Sequence, residues 1–174
     1  DAEEAYQLAD KVAVYDNGKI LQIGTKDEVF YRPKNRWVAR FVGTKNIFKG
    51  KIVRMEDSEA EVKTDSISVK MPSGKWFVLG KEIEFCIRPE NIMIIKPGKD
   101  LSDNLKENVF EGEVIGESCR GTTYYLDFKI NGFDNRSNYD LTIQVPTHVY
   151  QKLDIENNRF VKVSLKKDAI HVFE

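Results

Sequence analysis

The chain has 174 residues, 41% hydrophobic and 32% charged, with a net charge of −1. That length supports one ordinary domain, or a short element plus a compact domain. The balanced charge leaves no global field to attract nucleic acid or anionic lipid, and no apolar run approaches the ~18 residues that span a bilayer.

The first residues already carry a helical pattern. Ala2, Ala5, Leu8 and Ala9 recur at helix spacing, which predicts an amphipathic helix over 2–10 and a chain cut from a longer protein. VAVYDNGKILQIG follows as two short strands around Asn17-Gly18, a pair that supplies the positive φ angles of a tight hairpin turn. Thr25 with Glu28 makes a capping box for a helix that stops before Pro33. Trp37, Val38, Phe41 and Val42 mark another helical face, closed by Gly43.

Near residue 45 the hydrophobic period changes to two. IFKGKIVRM, AEVKT, ISVKM, EIEFCI, NIMII, VFEGEVIGE, TTYYLDFKI, LTIQV, VKVSL and AIHVF read as ten strands. Pro72-Ser73-Gly74, Pro97-Gly98, Asn131-Gly132 and Asn157-Asn158 supply turns between them. Only 146–153 looks helical, with Pro146 near its first turn. Many short, closely spaced strands imply a closed or nearly closed barrel.

This β region repeats internally. KNIFKGKIV (45–53) matches ENVFEGEVI (107–115), and EIEFCIRPENIMII (82–95) matches FVKVSLKKDAIHVF (160–173). The second copy is longer, with its extra residues placed near 133–140. The expected division is therefore 1–45, an α/β piece, and 46–174, a barrel of two related units (46–97 and 107–174) joined by an exposed connector over 98–106. The fold class is mainly β.

Asp1, Glu4, Ala5, Leu8, Ala9, Asp10, Lys11, Val12, Val14, Gly18, Ile20, Gln22, Gly24, Thr25, Glu28 and Val29 carry a pattern that resembles the end of an importer-type ABC ATPase domain. Phe30, Tyr31, Pro33 and then Trp37-Val38-Ala39-Arg40-Phe41-Val42-Gly43 continue it. Arg88-Pro89-Glu90-Asn91-Ile92 resembles the R-P-E signature of the TOBE domains, OB-like barrels that follow such ATPases. The N-x-F-x-G starts and the terminal AIHVF (169–173) are similar to the molybdate/tungstate importer group.

That resemblance implies the C-terminal regulatory and dimer-forming region of an importer's ATP-binding subunit. The parent would be a homodimeric ATPase using ATP and Mg, docked on a membrane permease at the cytoplasmic face as a peripheral protein. Asp1 would directly follow the switch histidine. The Walker A, signature and Walker B segments would lie upstream, so no catalytic residue and no cofactor is expected in this chain. Iron, sulfate, polyamine and sugar importers share the first-segment motif and the R-P-E signature, so the alternative is the same architecture for one of these substrates with a purely structural barrel.

Oxyanion-binding relatives carry S-A-R-N before the F-x-G strand and K-A-[ST] late in the unit. The positions this chain offers for an oxyanion such as molybdate or tungstate are Thr44, Lys45, Asn46, Asn108 and Lys166. Glu107 and Asp168 stand where a tetrahedral dianion needs donors and no carboxylate.

Four further candidates have bland readings. Arg120-Gly121-Thr122-Thr123 is an anion-holding turn or a plain hairpin turn. Tyr124, Tyr125 and Phe128 form a base-stacking platform or pack inward, and at net charge −1 packing is favoured, so no nucleic acid is expected. His148 and His171 are isolated, so no metal site is expected. Cys86 and Cys119 form neither a disulfide framework nor a CxxC knuckle and fit a reducing cytosol. An independent oxyanion- or nucleic-acid-binding module remains the alternative, although such a module has no need of an ATPase tail. Without its own domain, that tail is expected to expose Leu8, Val12, Val29 and Phe41 and to pair with a second copy.

Overall fold

A computed structural model of the chain describes residues 2–98, 103–132 and 138–173. The first segment holds α1 (Ala2–Leu8), the hairpin β1 (Lys11–Asp16) and β2 (Lys19–Thr25), α2 (Lys26–Tyr31) and α3 (Arg36–Phe41). Asn17 and Gly18 take φ angles of 46° and 81°, the double left-handed turn that the Asn-Gly pair predicts. The capping box also forms: Thr25 Oγ1 accepts from the Glu28 N–H, and a Glu28 carboxylate oxygen accepts from the Thr25 N–H at 2.8 Å. The Thr25 N–H, and then the Thr25 hydroxyl donating to the same carboxylate oxygen at 3.0 Å, hold the Glu28 carboxyl below the usual carboxylate range. The segment has a small core of its own: Val14, Val29, Phe30, Val38 and Val42.

Ten strands follow, one for each of the ten patterned stretches. The first unit supplies β3 (Asn46–Met55), β4 (Glu59–Lys63), β5 (Ser68–Pro72), β6 (Glu82–Ile87) and β7 (Ile92–Ile95). A short helix, α4 (Asp103–Lys106), leads into the second unit. That unit supplies β8 (Val109–Arg120), β9 (Thr123–Ile130), β10 (Leu141–Pro146), α5 (Thr147–Lys152), β11 (Phe160–Leu165) and β12 (His171–Val172). A single 3-10 turn precedes each last strand, at Pro89–Asn91 and at Lys167–Ala169.

The strands form two five-stranded antiparallel sheets, and the sheets exchange their last strands. One runs β12-β6-β3-β4-β5 and the other β10-β9-β8-β11-β7. Strand β7 of the first unit pairs with β11, placing Val163 opposite Ile94. Strand β12 of the second unit pairs with β6, placing His171 opposite Cys86. One apolar core runs through both sheets, from Ile52, Val62, Val69, Phe85 and Ile87 to Leu126, Phe128, Ile143, Val163 and Leu165. Each sheet buries one face, as the alternating pattern requires.

The glycine of each N-x-F-x-G start has a steric reason. A Cβ at Gly112 would lie 2.1 Å from the Lys129 carbonyl oxygen and 2.6 Å from the Phe128 ring, and one at Gly50 would lie 2.7 Å from Val62. Only a residue without a side chain lets β8 and β3 pass this close to their neighbours.

The structure corrects several expectations. The connector is not wholly exposed: Leu105 on α4 is buried, and its carbonyl accepts a hydrogen bond from the Ser164 hydroxyl at 2.8 Å. Residues 99–102 of the connector and 133–137 of the expected insertion lie outside the described residues. The last strand shortens to His171–Val172, because Lys167–Ala169 turns before it. Leu8 and Phe41 are exposed as expected, but Val29 is fully buried and Val12 half-buried, because the hairpin and the helices of the segment pack on one another.

Replacing Gly112 by Ala should destabilise the protein by about 1–3 kcal/mol, the usual cost of forcing an extra carbon into a filled site. Urea denaturation measures it, with the neighbouring Glu113→Ala expected to be near neutral.

Candidate functional site

Two asparagines, one at the start of each unit, mark pseudo-equivalent places in the barrel. Asn46 is buried at the start of β3. Its Oδ1 accepts from the Thr142 N–H at 2.7 Å, and its Nδ2 donates to the carbonyls of Thr142 (2.9 Å) and Ile87 (3.3 Å). Asn108 repeats this chemistry. Its Oδ1 accepts from the Lys70 N–H at 2.7 Å, and its Nδ2 donates to the carbonyls of Lys70 (2.8 Å) and Leu165 (3.5 Å). Ile87 and Leu165 are matched positions of the repeat. Thr142 and Lys70 lie on β10 and β5, strands at the ends of the two sheets. Each unit therefore uses one amide side chain to satisfy backbone groups of the other unit's edge strand. Asn108 does so from the left-handed region, at φ 53°, which Asn tolerates.

The two places differ in charge. Beside Asn108, the Lys167 ammonium bridges the carboxylates of Glu59 and Glu107, and Lys70 reaches Glu107 at 3.1 Å. The Lys167 ammonium and then the Lys70 ammonium hold the Glu107 carboxyl below its usual range. Glu59 and then Glu107 push Lys167 up to about 12. Beside Asn46 there is no such network among the described residues. Thr44 is buried with its hydroxyl unpartnered, as is the Thr142 hydroxyl. Lys45 is exposed, with its ammonium 5.8 Å from the centre of the Tyr125 ring, and Arg120 lies 5.1 Å from the same ring.

The five positions proposed for an oxyanion thus divide into two groups. Thr44, Lys45 and Asn46 adjoin β10, and Asn108 and Lys166 adjoin the junction of β11 with the second 3-10 turn. The Lys166 N–H donates to the Asn91 carbonyl at 3.3 Å, so the two 3-10 turns meet. Lys167, read from sequence only as a departure from a motif, is the centre of the ionic network. Its neighbours in sequence, Lys166 and Asp168, gave no sign of Glu59, more than a hundred positions away.

A third junction joins the first segment to both units. Arg88 of the R-P-E run donates from Nε to Glu90 at 2.6 Å and from Nη1 to the carbonyls of Phe30 (3.2 Å) and Val42 (3.4 Å). Its guanidinium also lies 5.5 Å from the centre of the Tyr31 ring. Arg36 pairs with Glu84 at 2.9 Å, and His171 Nε2 lies 2.8 Å from the Pro33 carbonyl oxygen. Ala39, Cys86 and Phe173 pack together behind these polar contacts, and burial pushes the Cys86 thiol up to about 12, leaving it neutral and unreactive. Between segment and barrel lies a crevice of about 230 Å³, lined in part by Tyr31, Arg32, Thr44, Arg88 and His171.

Residues 120–123 make the β8–β9 hairpin turn, with Gly121 at φ 61°. Tyr124 stacks on Tyr150 at 3.8 Å, and Phe128 is fully buried. Among the described residues, no group of three or more His, Cys, Asp or Glu could hold a metal.

No family model matches the chain. It is 32% identical over its whole length to a spermidine/putrescine import ATP-binding protein, PotA, of Mesomycoplasma hyopneumoniae strain 232, covering 33% of that protein. It is 37% identical over 139 residues to the PotA of Trichormus variabilis, covering 77% of the chain and 35% of that protein. The chain thus spans about a third of the length of these relatives. Among solved structures, the cytoplasmic molybdate-binding protein ModG, with molybdate bound, superposes with a TM-score of 0.62 at 10% identity, over 75% of this chain and 96% of that one. At that identity the likeness is one of fold.

Replacing Asn46 by Ala leaves the Thr142 N–H and carbonyl without their buried partner and should cost about 2–5 kcal/mol, since each orphaned group costs about 1–3 kcal/mol. Thermal unfolding of the variant checks it. The ion pairs of Lys167 set a pH window. Stability from the lowered Glu107 is present above the ordinary carboxylate value of 4.5 and is lost as pH falls through the depressed one. Stability from the raised Lys167 is full below 10.5 and is lost as pH rises through about 12. In Lys167→Met, unfolding curves taken across pH should show a smaller loss of stability on the acid side than the parent chain shows.

Proposed function

The chain is homologous to the C-terminal region of ABC-importer ATP-binding subunits of the PotA type and has an OB-like TOBE fold, and from that premise we propose that it forms the non-catalytic end of the ATP-binding subunit of a polyamine importer. In this reading residues 1–45 are the tail of the ATPase domain and residues 46–174 the barrel. The parent subunit binds ATP and Mg, works as a dimer and docks on a permease at the cytoplasmic face of the membrane. The observation that carries the reading is an identity of 32% extending through both the segment and the barrel. Among the described residues, no helix is long and apolar enough to cross a membrane.

The barrel's role in this reading is to brace the ATPase tail. Arg88 and Glu84 of the first unit and His171 of the second hold residues of the segment at Phe30, Pro33, Arg36 and Val42. Any movement of one unit against the other is thereby felt by the tail. Sensing of molybdate or tungstate is the less favoured reading. Both asparagines are spent on edge strands, and Glu59 and Glu107 surround the cation beside Asn108. Of the five positions, a dianion would be left with Thr44, Lys45 and Lys166, and Lys166 lies at the other junction from the first two.

The test is uptake by the full-length subunit reconstituted with its permease and binding protein. ATP-driven uptake of labelled spermidine or putrescine is the expected result. Uptake of molybdate, sulfate or iron in its place would overturn the substrate assignment. A thermal-shift titration of the 174-residue chain with tungstate and molybdate addresses the barrel. A ligand at ~100 times its dissociation constant adds roughly 2.7 kcal/mol, a rise of about 5–10 °C for a chain of this size. No rise is expected, and a saturable rise with either anion would replace the bracing role with a sensory one.

A further inference from the structure

Between β5 and β6 the chain makes two turns in succession. The Phe77 N–H donates to the Gly74 carbonyl at 3.0 Å, and the Lys81 N–H donates to the Val78 carbonyl at 3.0 Å, with Gly80 at φ 83° as the second corner of that turn requires. Phe77 is buried in the barrel core and anchors the first turn. The second is fastened to β3: the Gly80 N–H donates to the Ile52 carbonyl at 2.8 Å, and the Ile52 N–H to the Lys81 carbonyl at 2.9 Å. Val78 and Leu79 are therefore held in place, yet they are 60% and 63% exposed.

Single exposed apolar residues need no explanation, but this pair is set among cations. Lys75, Lys81 and, on β3, Lys51 are exposed, and none makes an ion pair among the described residues. The Lys51 stem lies 3.7 Å from the place a Cβ on Gly80 would take, and the Lys81 ammonium lies 4.6 Å from the centre of the half-buried Trp76 ring. Glu82, the acid next to Lys81, is taken up by Lys49 at 2.9 Å. The chain as a whole is nearly neutral, so the positive field is local. A stable protein interface needs about 800 Å² from each partner, and two aliphatic side chains on one turn fall well short of it. An anionic lipid surface asks for less. Aliphatic groups enter the acyl boundary, an aromatic ring sits at headgroup depth, and lysines meet the phosphates without a shaped counterpart.

We propose that the Val78-Leu79 turn is a docking point for an anionic lipid surface, with Val78 and Leu79 entering it and Lys51, Lys75 and Lys81 facing its phosphates. Neither set of groups suffices alone, which makes the contact reversible and dependent on lipid charge. The proposal stands on the barrel and does not depend on what the parent protein transports.

The test is cosedimentation of the 174-residue chain with vesicles of phosphatidylglycerol and phosphatidylcholine in equal amounts, against vesicles of phosphatidylcholine alone. Saturable binding to the anionic vesicles, half-complete at about 1 mM lipid or less, is expected, with binding to the neutral ones at least about tenfold weaker. Lys75→Gln and Lys81→Gln should each weaken binding about fivefold, the share of one lysine near such a surface. Leu79→Ser, at an exposed position, should leave thermal unfolding unchanged and weaken binding at least about fivefold. Leu8 and Phe41 of the first segment are also exposed, so the double variant Leu8→Ser with Phe41→Ser is the control and should bind like the unchanged chain. Equal binding to both vesicles, undiminished binding in Leu79→Ser, or loss confined to the control variant would each overturn the proposal. So would the absence of any vesicle binding, which would leave the turn to a protein partner.

Discussion

Neither half of the barrel is a complete object. Each unit builds four strands of a sheet and takes its fifth from the other, and each spends one asparagine on the other's edge strand. Edge strands carry unpaired backbone groups, and a buried unpaired group costs as much as a lost hydrogen bond. The exchange and the two amide bridges answer that cost at four places with matched pieces of one repeat. The single apolar core through both sheets follows from it, since strands β7 and β12 bring their apolar residues across the boundary. The exchange also sets where the 3-10 turns meet, and so where the first segment finds polar groups to dock on.

Much of this was legible in the residues. Period-two alternation located all ten strands, Asn17-Gly18 its hairpin, and Thr25 with Glu28 the start of α2. These signals are local, decided by backbone sterics and by hydrogen bonds over a few positions. The strand exchange was not legible: alternation says which face of a strand is apolar and is silent about which sheet receives it. Ile92 and Ile94 would read the same in either sheet. Asn46 and Asn108 were singled out for an anion because of the residues around them, and their geometry shows backbone edges as their partners. The ionic network of Lys167 was illegible for a related reason. Its partners Glu59 and Glu107 belong to other strands, and only the packing of the two units brings them within reach.

The segment before the barrel is held by a mixture of forces suited to a joint. Its own core is small, and its contacts with the barrel are mostly polar: a guanidinium on two carbonyls, one ion pair and one imidazole on a carbonyl. Such contacts are directional and individually modest. They fix orientation while leaving it sensitive to small displacements of either unit. A broad hydrophobic interface would have given strength without that sensitivity. The R-P-E run shows how one short sequence serves two purposes. Its arginine faces the segment, and its proline and glutamate make the turn that sends β7 across to the other sheet.

The exchange has a further consequence for how the molecule is made. Strand β6 ends at Ile87, yet its outer partner, His171–Val172, comes at the far end of the second unit. During translation the first unit would emerge with β6 open to solvent and would hold that edge bare until the second unit had followed it from the ribosome. Pairings between such distant parts of a chain are slow to form, and bare strand edges invite wrong partners while they wait. The barrel therefore cannot mature one half at a time. Its folding waits for the second unit, and a nascent copy is at its most vulnerable just before that unit is complete.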